Sequence, residues 1–542
     1  MLLGIYKIYF LFILNISFQV ELANSVIVET ENGKIRGKIG ENYISFLSVP
    51  FAEPPVGEYR FEPPLSIKKN WSDILDCTQM PNECLQWNHF ILHGDRLLGN
   101  EDCLYLNIFM PKLNSTELFP VVIFIHGGAF QYGTGNVFRP DLLMQNPNVV
   151  VVTISYRLGP LGFLKSDKNN ISANLGLKDQ RLALQWIKRN IKNFRGNPEQ
   201  IVLTGFSAGG ASVHMHLLKE DIQNLITSAV SFSGTVFCPW VLVNDAEEKT
   251  ELLASMLNCT SENTNSLKTC LKAQPAENIV RAIGKLQFAH YYPFRIFGPV
   301  IETNSIDDSF LNQEPENIIK HSNIANIPWL IAYTSEDGGY NAAELMKKSD
   351  KGEYIDEFWE KFDDLAPKAL FYEEKLSQLE AKKYSELLKQ KYKIYENDTN
   401  LEKYFKIQKI FTDELFAKGS LKAIKLHKDF TKSHISAYIY ENPSPKGIGN
   451  LISERDDIDF GCTHGDDVFL MFNVPHRDSG VPFRDDEIEI SNKFLSMLKE
   501  FAKTGLVNFG DVPLPENKKD KSIQILHITK NKPVIMEFDD IL

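Results

Sequence analysis

The stretch "VLTGFSAGGASV", Val202–Val213, limits the fold of this chain more than any other. An apolar run leads into Gly205, Ser207 stands between Gly205 and Gly209, and small residues follow. This order predicts a buried strand, a sharp turn at the serine and then a helix. Because glycine tolerates backbone crowding, its presence two residues before and after Ser207 indicates that the turn presents the serine hydroxyl.

Apolar runs of the same kind recur along the chain. They lie at 121–125, 149–154, 201–206, 229–234 and 328–333. Continuous β-rich runs of this length are typical of strands that are buried on both faces, as in a largely parallel sheet.

Helical patterns lie between and after these runs. Residues 177–194, "LKDQRLALQWIKRNIKNF", repeat apolar side chains at helical spacing and end before Gly-Asn-Pro, a stop signal. The stretch from 340 to 435 is rich in Lys, Glu, Leu and Tyr and predicts a helical insertion beside the sheet. Together the patterns predict an α/β fold, a large and mostly parallel twisted sheet with helices on both faces.

Composition excludes some classes of function. The chain has 542 residues, of which 43% are hydrophobic, and a formal net charge of −12. Such a chain has ample apolar material for a core. Without clustered Lys and Arg, nucleic acid is not expected as a partner.

The first 23 residues have the pattern of a secretory signal peptide. Lys7 precedes a short apolar run, Ile8 to Leu14, and Ala23 is a suitable residue before the cleavage site. No later segment reaches about 18 uncharged apolar residues, so we expect a secreted protein without stable membrane insertion. The predicted organisation is a signal peptide at 1–23 and a single domain at 24–542.

A secreted chain allows disulfides and glycans. The cysteine count is seven, so at least one thiol is unpaired, and a local pair such as Cys259 with Cys270 is natural, although the sequence leaves the connectivity open. No cysteine or histidine cluster has zinc spacing, so no metal site is expected. The glycosylation sequons after the signal are at Asn70, Asn114, Asn170, Asn258 and Asn397.

A second glycine-rich loop supplies what a serine nucleophile would need. A serine hydroxyl requires a base, and the carbonyl oxygen it attacks requires hydrogen-bond donors where negative charge develops. "VVIFIHGGAF" places His126-Gly127-Gly128 directly after a buried strand, as in the oxyanion loop of lipases and esterases. We expect the N–H groups of Gly127, Gly128 and Ala208 to form an oxyanion hole.

Three longer blocks resemble the type-B carboxylesterases, the cholinesterase-like branch of the α/β hydrolases. "FRGNPEQIVLTGFSAGG", 194–210, is similar to the serine signature of that family, and "EDCLYLN", 101–107, to its second signature. "SVPFAEPPVGEYRFEPP", 48–64, is similar to its N-terminal segment. The resemblance covers most of the mature chain and implies an α/β-hydrolase fold and a carboxylic-ester hydrolase without metal or organic cofactor.

The resemblance also points to the partners of Ser207. "FGCTHGDDVFLMF" is similar to the histidine block of the family and gives His464. In "IAYTSEDGGY" the acid position falls on Asp337, where the family usually has glutamate, and Glu336 is the alternative. Because aspartate is one methylene shorter, its loop should lie about 1–2 Å closer to the histidine. Of the competing histidines, His126 belongs to the oxyanion loop. His214 and His216 lie on the helix after the serine and are expected to serve packing.

The resemblance further implies structural pairs. Cys84 should pair with Cys103 and Cys259 with Cys270, which leaves Cys77, Cys238 and Cys462 unpaired. Arg60 should pair with Glu101 as a structural ion pair.

The same comparison bears on the ester. Cholinesterases hold a quaternary ammonium ion on a tryptophan face and carry glutamate beside the catalytic serine. Here the region before "EDCLYLN" has no aromatic residue after Phe90, and Phe206 precedes the serine. We therefore expect a neutral, apolar ester as the small-molecule partner. Trp240 resembles an acyl-pocket residue but is equally compatible with the core.

Three alternatives differ in substrate, class or rate of turnover. Juvenile hormone esterases are similar, but they typically have glutamine where Phe206 stands, and this difference argues against hormone specificity. A non-catalytic adhesion protein on the same fold would usually lose residues of the triad and carry a membrane segment. An esterase that sequesters esters and turns them over slowly would need the same residues, and the oligomeric state is not readable from the sequence.

Overall fold

A computed structural model describes residues 24–538 with short gaps. The gaps are 89, 92–93, 113–115, 146–147, 260–265, 288–292, 303–308, 350–351 and 475–482. The expected signal peptide, residues 1–23, lies outside the described residues.

One large sheet organises the described chain. In spatial order its strands are β1-β2-β3-β7-β9-β8-β10-β11-β12-β15-β18-β19. The short strand β4 stands outside this order and pairs with β2. The strands of this sheet are β1 Ser25–Thr30, β2 Gly33–Ile39, β3 Tyr43–Pro50, β4 Leu75–Asp76, β7 Tyr105–Pro111, β8 Phe119–Ile125, β9 Val150–Ile154, β10 Gly196–Phe206, β11 Ser228–Phe232, β12 Trp329–Thr334, β15 Ile435–Glu441, β18 Ile523–Thr529 and β19 Val534–Phe538. Three two-stranded ribbons complete the set: β5 Gln86–Trp87 with β6 Leu97–Leu98, β13 Lys348–Ser349 with β14 Gly352–Glu353, and β16 Asn508–Phe509 with β17 Val512–Pro513.

The middle of the sheet is parallel and its two edges are antiparallel. From β9 through β18 each neighbouring pair is parallel, whereas β1, β2, β3 and β7 at one edge and β19 at the other pair antiparallel. All five apolar runs found in the sequence form strands of the parallel part. Their continuous apolar character follows from burial on both faces, since every residue of β9, β11 and β12 is buried. The prediction of a mostly parallel sheet of the α/β-hydrolase type is confirmed.

Helices cover the sheet and extend beyond it. The described α-helices are α1 Gly159–Phe163, α2 Leu175–Asn190, α3 Ala208–Leu217, α4 Ala246–Met256, α5 Ser266–Ala273, α6 Ala276–Arg281, α7 Pro315–His321, α8 Gly339–Ala342, α9 Tyr354–Glu360, α10 Phe362–Ala369, α11 Gln378–Lys391, α12 Asn400–Thr412, α13 Lys418–Phe430, α14 Ile448–Ser453 and α15 Asp485–Thr504. Short 3-10 turns lie at Gly57–Tyr59, Gly135–Val137, Ile191–Phe194, Glu220–Asn224, Ala282–Lys285, Ala343–Met346 and Val468–Leu470. Helix α3 packs on β10 and β11, and α15 packs on β10 and β8.

The segment predicted as a helical insertion, 340–435, contains α8 to α13. Helices α11 and α12 each begin with a capping box, Ser377 with Glu380 and Thr399 with Glu402, which satisfies the free N–H groups of the first turn. A π-helical turn, Asp413–Ala417, joins α12 to α13. The insertion begins shortly after β12, so its first residues lie at the carboxyl end of the parallel strands, where ligand sites of such sheets form.

Candidate active site

Ser207 occupies the turn between β10 and α3. Strand β10 ends at Phe206, α3 begins at Ala208, and Ser207 has φ 58° and ψ −118°. Few non-glycine residues adopt a positive φ, and such strain is concentrated at functional sites. The turn is held by its backbone, since Ser207 N–H donates to the Phe232 carbonyl at 2.7 Å.

Two glycines make this turn possible for a steric reason. A Cβ atom on Gly209 would lie 2.0 Å from the Ile125 carbonyl oxygen, and one on Gly205 would lie 2.2 Å from the Gly209 carbonyl oxygen. Both positions therefore exclude a side chain, because the obstacle is backbone rather than a movable side chain. The spacing of glycine, serine and glycine in the sequence reflects this close approach of α3 to β8.

The loop after β8 lies against the same turn. A Cβ atom on Gly127 would lie 2.9 Å from Ser207 Cβ, so the two residues are in van der Waals proximity. Gly128 has φ +112°, and a Cβ there would lie 1.9 Å from the Tyr132 carbonyl oxygen. Ala208, the third residue predicted for the oxyanion hole, is the first residue of α3. The N–H groups of the first turn of a helix have no partner within that helix, so the N–H of Ala208 is not used by α3.

His464 and Asp337 are in direct contact. His464 Nδ1 lies 2.5 Å from Asp337 Oδ1, and the two side chains are 4% and 0% exposed. A carboxylate facing Nδ1 fixes the tautomer, because Nδ1 must carry the proton it donates and Nε2 is left as the acceptor. Asp337 Oδ2 accepts two further hydrogen bonds, from Ser233 Oγ at 2.8 Å and from Thr334 N–H at 3.1 Å.

Glu336, the alternative acid, is directed elsewhere. Its Oε2 accepts a hydrogen bond from Cys462 N–H at 2.9 Å and another from Ser335 Oγ. Glu336 N–H in turn donates to the Cys462 carbonyl at 3.1 Å. Glu336 therefore ties together the two loops that carry Asp337 and His464.

Aromatic rings enclose the imidazole of His464. The ring centroids of Phe206, Phe416 and Tyr340 lie 4.5 Å, 4.9 Å and 5.2 Å from that of His464. These contacts limit ring rotation and keep water away from the Asp337 pair.

Ser207 and His464 line one cavity of about 390 Å³ with Gly127 and Gly128. Most of the remaining lining is apolar or aromatic, and this group comprises Phe90, Leu98, Tyr132, Val137, Phe138, Phe206, Tyr340, Ile448, Leu451, Phe469 and Val474. Polar or small members of the wall are Glu83, Gln86, Asn88, Gly133 and Thr134. The volume is in the usual range for a small-molecule site.

Sequence reasoning missed several residues of this site. Ser233 lies at φ 49° just after β11, and only the fold brings it to Asp337. Tyr132 and Tyr340 join their hydroxyl groups across the cavity. Glu83 lies on the cavity wall, where burial raises the pKa of its carboxyl group and so favours the neutral form.

Trp240 lies behind the cavity rather than on its wall. It is 1% exposed, its Nε1–H donates to the Leu415 carbonyl at 2.9 Å, and its ring contacts Phe416. Of the two interpretations that the sequence left open, the structure favours the core.

The competing histidines are buried packing residues. Burial lowers the pKa of His126 to about 4, and its ring stacks on Tyr156 with centroids 4.5 Å apart. His214 and His216 on α3 are also buried, and burial lowers the pKa of both. His214 Nδ1 accepts from Val236 N–H at 3.2 Å, which places its proton on Nε2, 3.0 Å from Nε2 of His427.

The pairs implied by the family resemblance are present. Cys84 is disulfide-bonded to Cys103 and Cys259 to Cys270, with Cα atoms 4.9 Å and 5.7 Å apart. The remaining cysteines, Cys77, Cys238 and Cys462, are free and buried.

Arg60 forms a bidentate ion pair with Glu101, at 2.6 Å and 2.5 Å. Its guanidinium group also donates to the Gln274 carbonyl at 2.6 Å. The pair thus joins the start of the domain to the Cys84–Cys103 loop and to the region of α5, away from Ser207.

Four of the predicted glycosylation sites are on the surface. Asn70, Asn170, Asn258 and Asn397 are exposed, whereas Asn114 lies outside the described residues. None of the described helices combines the length and the apolar character that a membrane span requires. The same residues contain no group of three His, Cys, Asp or Glu side chains that could hold a metal ion.

In this parallel sheet a central strand ends in a strained serine turn, and a glycine loop and a histidine–aspartate pair lie nearby. These features define the α/β-hydrolase class. Comparison with known proteins narrows this class: the model of the carboxylesterase family matches residues 24–539, and the chain belongs to that family. It is 42% identical to Esterase P of Drosophila melanogaster over 515 residues, 94% of each chain. It is also 42% identical to Esterase-5B of Drosophila persimilis over 515 residues, and to Esterase-5A of Drosophila miranda over 520 residues. The protein is a carboxylic ester hydrolase of the insect type.

Proposed function

We propose that this protein is a secreted serine esterase that cleaves neutral, apolar carboxylic esters with Ser207, His464 and Asp337. The observation that carries the proposal is the 2.5 Å contact of His464 Nδ1 with Asp337 Oδ1, together with the cavity that His464 and Ser207 share. The contact leaves Nε2 of His464 as a proton acceptor on the side of the cavity. A base at that position is what a serine hydroxyl needs in order to attack.

The first chemical step forms an acyl-enzyme. His464 Nε2 takes the Ser207 proton while Oγ bonds to the ester carbonyl carbon, and the carbonyl oxygen becomes an oxyanion. Asp337 stabilises the imidazolium ion without taking its proton. The imidazolium then protonates the leaving oxygen, and the alcohol departs as the C–O bond breaks.

Backbone N–H groups stabilise the oxyanion in both steps. Gly127 is in van der Waals proximity to Ser207, and Ala208 begins α3, so its N–H is not used by the helix. Donors fixed before the reaction need no reorganisation, and one such donor typically contributes 10²–10³ in rate. Water, deprotonated by His464, then attacks the acyl-enzyme and releases the acid and Ser207.

The wall of the cavity supports a neutral, apolar ester. Among the described residues of the wall, eleven are apolar or aromatic, and the one carboxyl group, that of Glu83, is shifted toward the neutral form by burial. Phe206 covers the position beside the serine where a charged residue would favour a cationic substrate. A preformed apolar cavity gains binding free energy from an acyl or alcohol group that displaces poorly bound water.

Secretion is part of the proposal and is supported by two features. The chain has two disulfides, which persist in oxidising compartments. Four N-glycosylation sequons lie on exposed residues, where a glycan can be accommodated.

The test is hydrolysis of p-nitrophenyl butyrate by the purified protein, by Ser207→Ala and by Ser255→Ala. Ser255 is an exposed serine of α4, and its substitution controls for handling and folding. We expect activity in the wild type and in Ser255→Ala, and none above background in Ser207→Ala. Diethyl p-nitrophenyl phosphate should add one diethylphosphoryl group to the wild type and none to Ser207→Ala. A folded wild type without turnover and without this label would overturn the proposal.

The same assay separates turnover from sequestration. A fast release of one p-nitrophenol per enzyme followed by a slow steady phase would mean that deacylation limits the rate. A steady rate from the first turnover is the result expected of an efficient esterase.

A further inference from the structure

A second cavity, of about 400 Å³, lies behind the proposed catalytic pair. Among the described residues it shares no lining residue with the cavity at Ser207. Its walls come from three segments: residues 335–336, directly before Asp337, residues 459–461, shortly before His464, and one face of α12. Two of the three walls are thus the loops that bring the catalytic acid and histidine together.

Hydrogen bonds made by residues of this wall hold those loops together. Glu336 and Cys462 exchange two of them, at 3.1 Å and 2.9 Å. On the side of α12, Gln408 Nε2 donates to the Phe460 carbonyl at 2.7 Å, and Gly338 N–H donates to Thr412 Oγ1 at 2.9 Å. A molecule bound here would contact residues of the loops that carry Asp337 and His464.

The lining has one apolar part and one acidic part. Phe460 is buried and Phe405 on α12 is 42% exposed, so the wall offers apolar surface to a ring or a short alkyl group. Glu336 and Asp459 supply carboxylates. Among the described residues, both hydrogen bonds that the Glu336 side chain accepts reach Oε2, which leaves acceptor capacity on Oε1.

The charge balance of the cavity favours a cation. Among the described residues of its lining, Lys409 is the basic one, and its Nζ lies 2.8 Å from Asp413 Oδ1. Burial raises the pKa of Glu336, against the hydrogen bonds from Ser335 and Cys462, which lower it. An ammonium ion beside Oε1 would favour the ionised form of Glu336, because a nearby positive charge stabilises a carboxylate.

We propose that this cavity binds a small ammonium compound with an aromatic or short alkyl group, and that its occupancy changes turnover at Ser207. The ammonium group contacts Glu336 and Asp459, and the apolar group lies against Phe405 and Phe460. The effect on turnover rests on the proposed function, whereas the binding itself does not. Binding stiffens or shifts the loops at 335–336 and 459–461, and a small displacement of His464 relative to Asp337 is enough to alter the rate.

Binding is tested by titration calorimetry with 2-phenylethylammonium as the probe. Phe405→Ala should raise the dissociation constant by about tenfold or more, and so should Asp459→Asn. The matched control is Leu401→Ala, because Leu401 lies on the same helix, is also 42% exposed and is absent from the lining. 2-Phenylethanol, which has the ring without the charge, should bind about tenfold more weakly than the ammonium compound. Equal affinity in wild type and Phe405→Ala, or no binding by the wild type, would overturn the proposed site.

The titration is repeated after treatment with diethyl p-nitrophenyl phosphate, so that Ser207 is blocked. We expect the affinity to persist in the blocked protein, and its loss would assign the binding to the cavity at Ser207 and overturn the inference. A protein that fails to hydrolyse esters or to take the label, yet binds the probe in a Phe405-dependent way, would separate a wrong function from a wrong site.

Coupling to catalysis is read from the steady-state rate with p-nitrophenyl butyrate. Saturating 2-phenylethylammonium should change kcat by about twofold or more, since uniform competition for the substrate site alters KM alone. The effect should saturate at the dissociation constant from calorimetry and disappear in Phe405→Ala but not in Leu401→Ala. A change confined to KM, or the same effect in both variants, would overturn the regulatory part.

Discussion

Ser207 is held by its surroundings in a conformation that it would avoid on its own. Its φ of 58° is stabilised by the hydrogen bond to Phe232 and by the first turn of α3. The serine therefore stands at the tip of a rigid turn, with its hydroxyl on the wall of the cavity. Backbone strain of this kind, balanced by the surrounding scaffold, is often found at functional sites.

The choice between the two neighbouring acids is also a residue-scale question. Asp337 contacts His464, whereas Glu336 contacts Cys462. We predict that Asp337→Asn lowers kcat by about 10⁴-fold, the effect of the same substitution in a Ser-His-Asp protease, because the amide favours the wrong histidine tautomer. The measurement is kcat with p-nitrophenyl butyrate.

The matched control is Glu336→Gln. Glutamine keeps an oxygen acceptor for Cys462 N–H, so we expect kcat to fall by less than about tenfold. The reverse ranking, with Glu336→Gln the more damaging variant, would make Glu336 the catalytic acid and refute the assignment of Asp337.

At the scale of the element, the central feature is the approach of α3 to β8. Gly209, in the first turn of α3, faces the Ile125 carbonyl at a distance that leaves no room for a methyl group. We predict that Gly209→Ala moves the start of α3, abolishes esterase activity and lowers the free energy of unfolding by about 3 kcal/mol or more. Urea unfolding and the assay with p-nitrophenyl butyrate check the prediction.

Gly57→Ala is the control for a glycine substitution as such. Gly57 has φ +57°, but a Cβ there meets no atom within 4 Å, so only the backbone penalty of about 1–2 kcal/mol applies. Full activity in Gly209→Ala would show that the elbow tolerates a side chain and would contradict the steric argument.

The helical insertion is another element whose existence could be predicted and whose role could not. Its period and its capping residues are visible in the sequence, as in "SQLE" and "TNLE" at the starts of α11 and α12. Its position beside the carboxyl ends of the strands depends on β12, which brings the insertion to the same edge of the sheet as Ser207. For that reason α12 contributes a wall of the second cavity, although its sequence has no binding motif.

At the scale of the whole molecule, buried neutral histidines make stability depend on pH. Burial lowers the pKa of His427 to about 3, whereas in the unfolded chain the imidazole titrates near pH 6.5. Between these pH values the unfolded chain binds more protons, so the contribution of His427 to the free energy of unfolding is complete above pH 6.5 and is lost as the pH falls. We predict that His427→Gln flattens the pH dependence between pH 6 and 4 by up to about 1.4 kcal/mol per pH unit.

The measurement is urea unfolding of wild type and variant across this range. The quantity to compare is the difference in the free energy of unfolding between variant and wild type at each pH. Asp467 changes stability with pH in the opposite direction to His427, because burial raises the pKa of its carboxyl group to about 7. His321→Gln, at an exposed position in α7, is the control and should leave the slope unchanged. An equal slope in wild type and His427→Gln would contradict the prediction.

The sequence by itself determined the class of the fold and the candidate chemical groups. Continuous apolar runs predicted the parallel strands because burial on both faces leaves no polar position to alternate. The serine turn was predicted because a strained turn requires glycine at two fixed positions, and the longer motifs pointed to the histidine and the acid. These are local constraints, and local constraints leave a pattern in consecutive residues.

Only the tertiary structure decided which groups meet. Ser233, Asp337 and His464 are distant in sequence. They come together because β11 and β12 end at the same edge of the sheet, where the loop before α15 also lies. The neighbours that enclose them, such as Phe416 and Tyr340, have no motif, since any large apolar side chain could fill that volume. The same applies to the second cavity, whose walls come from three distant segments. Contacts of this kind depend on the packing of the whole chain, and no short stretch of sequence records them.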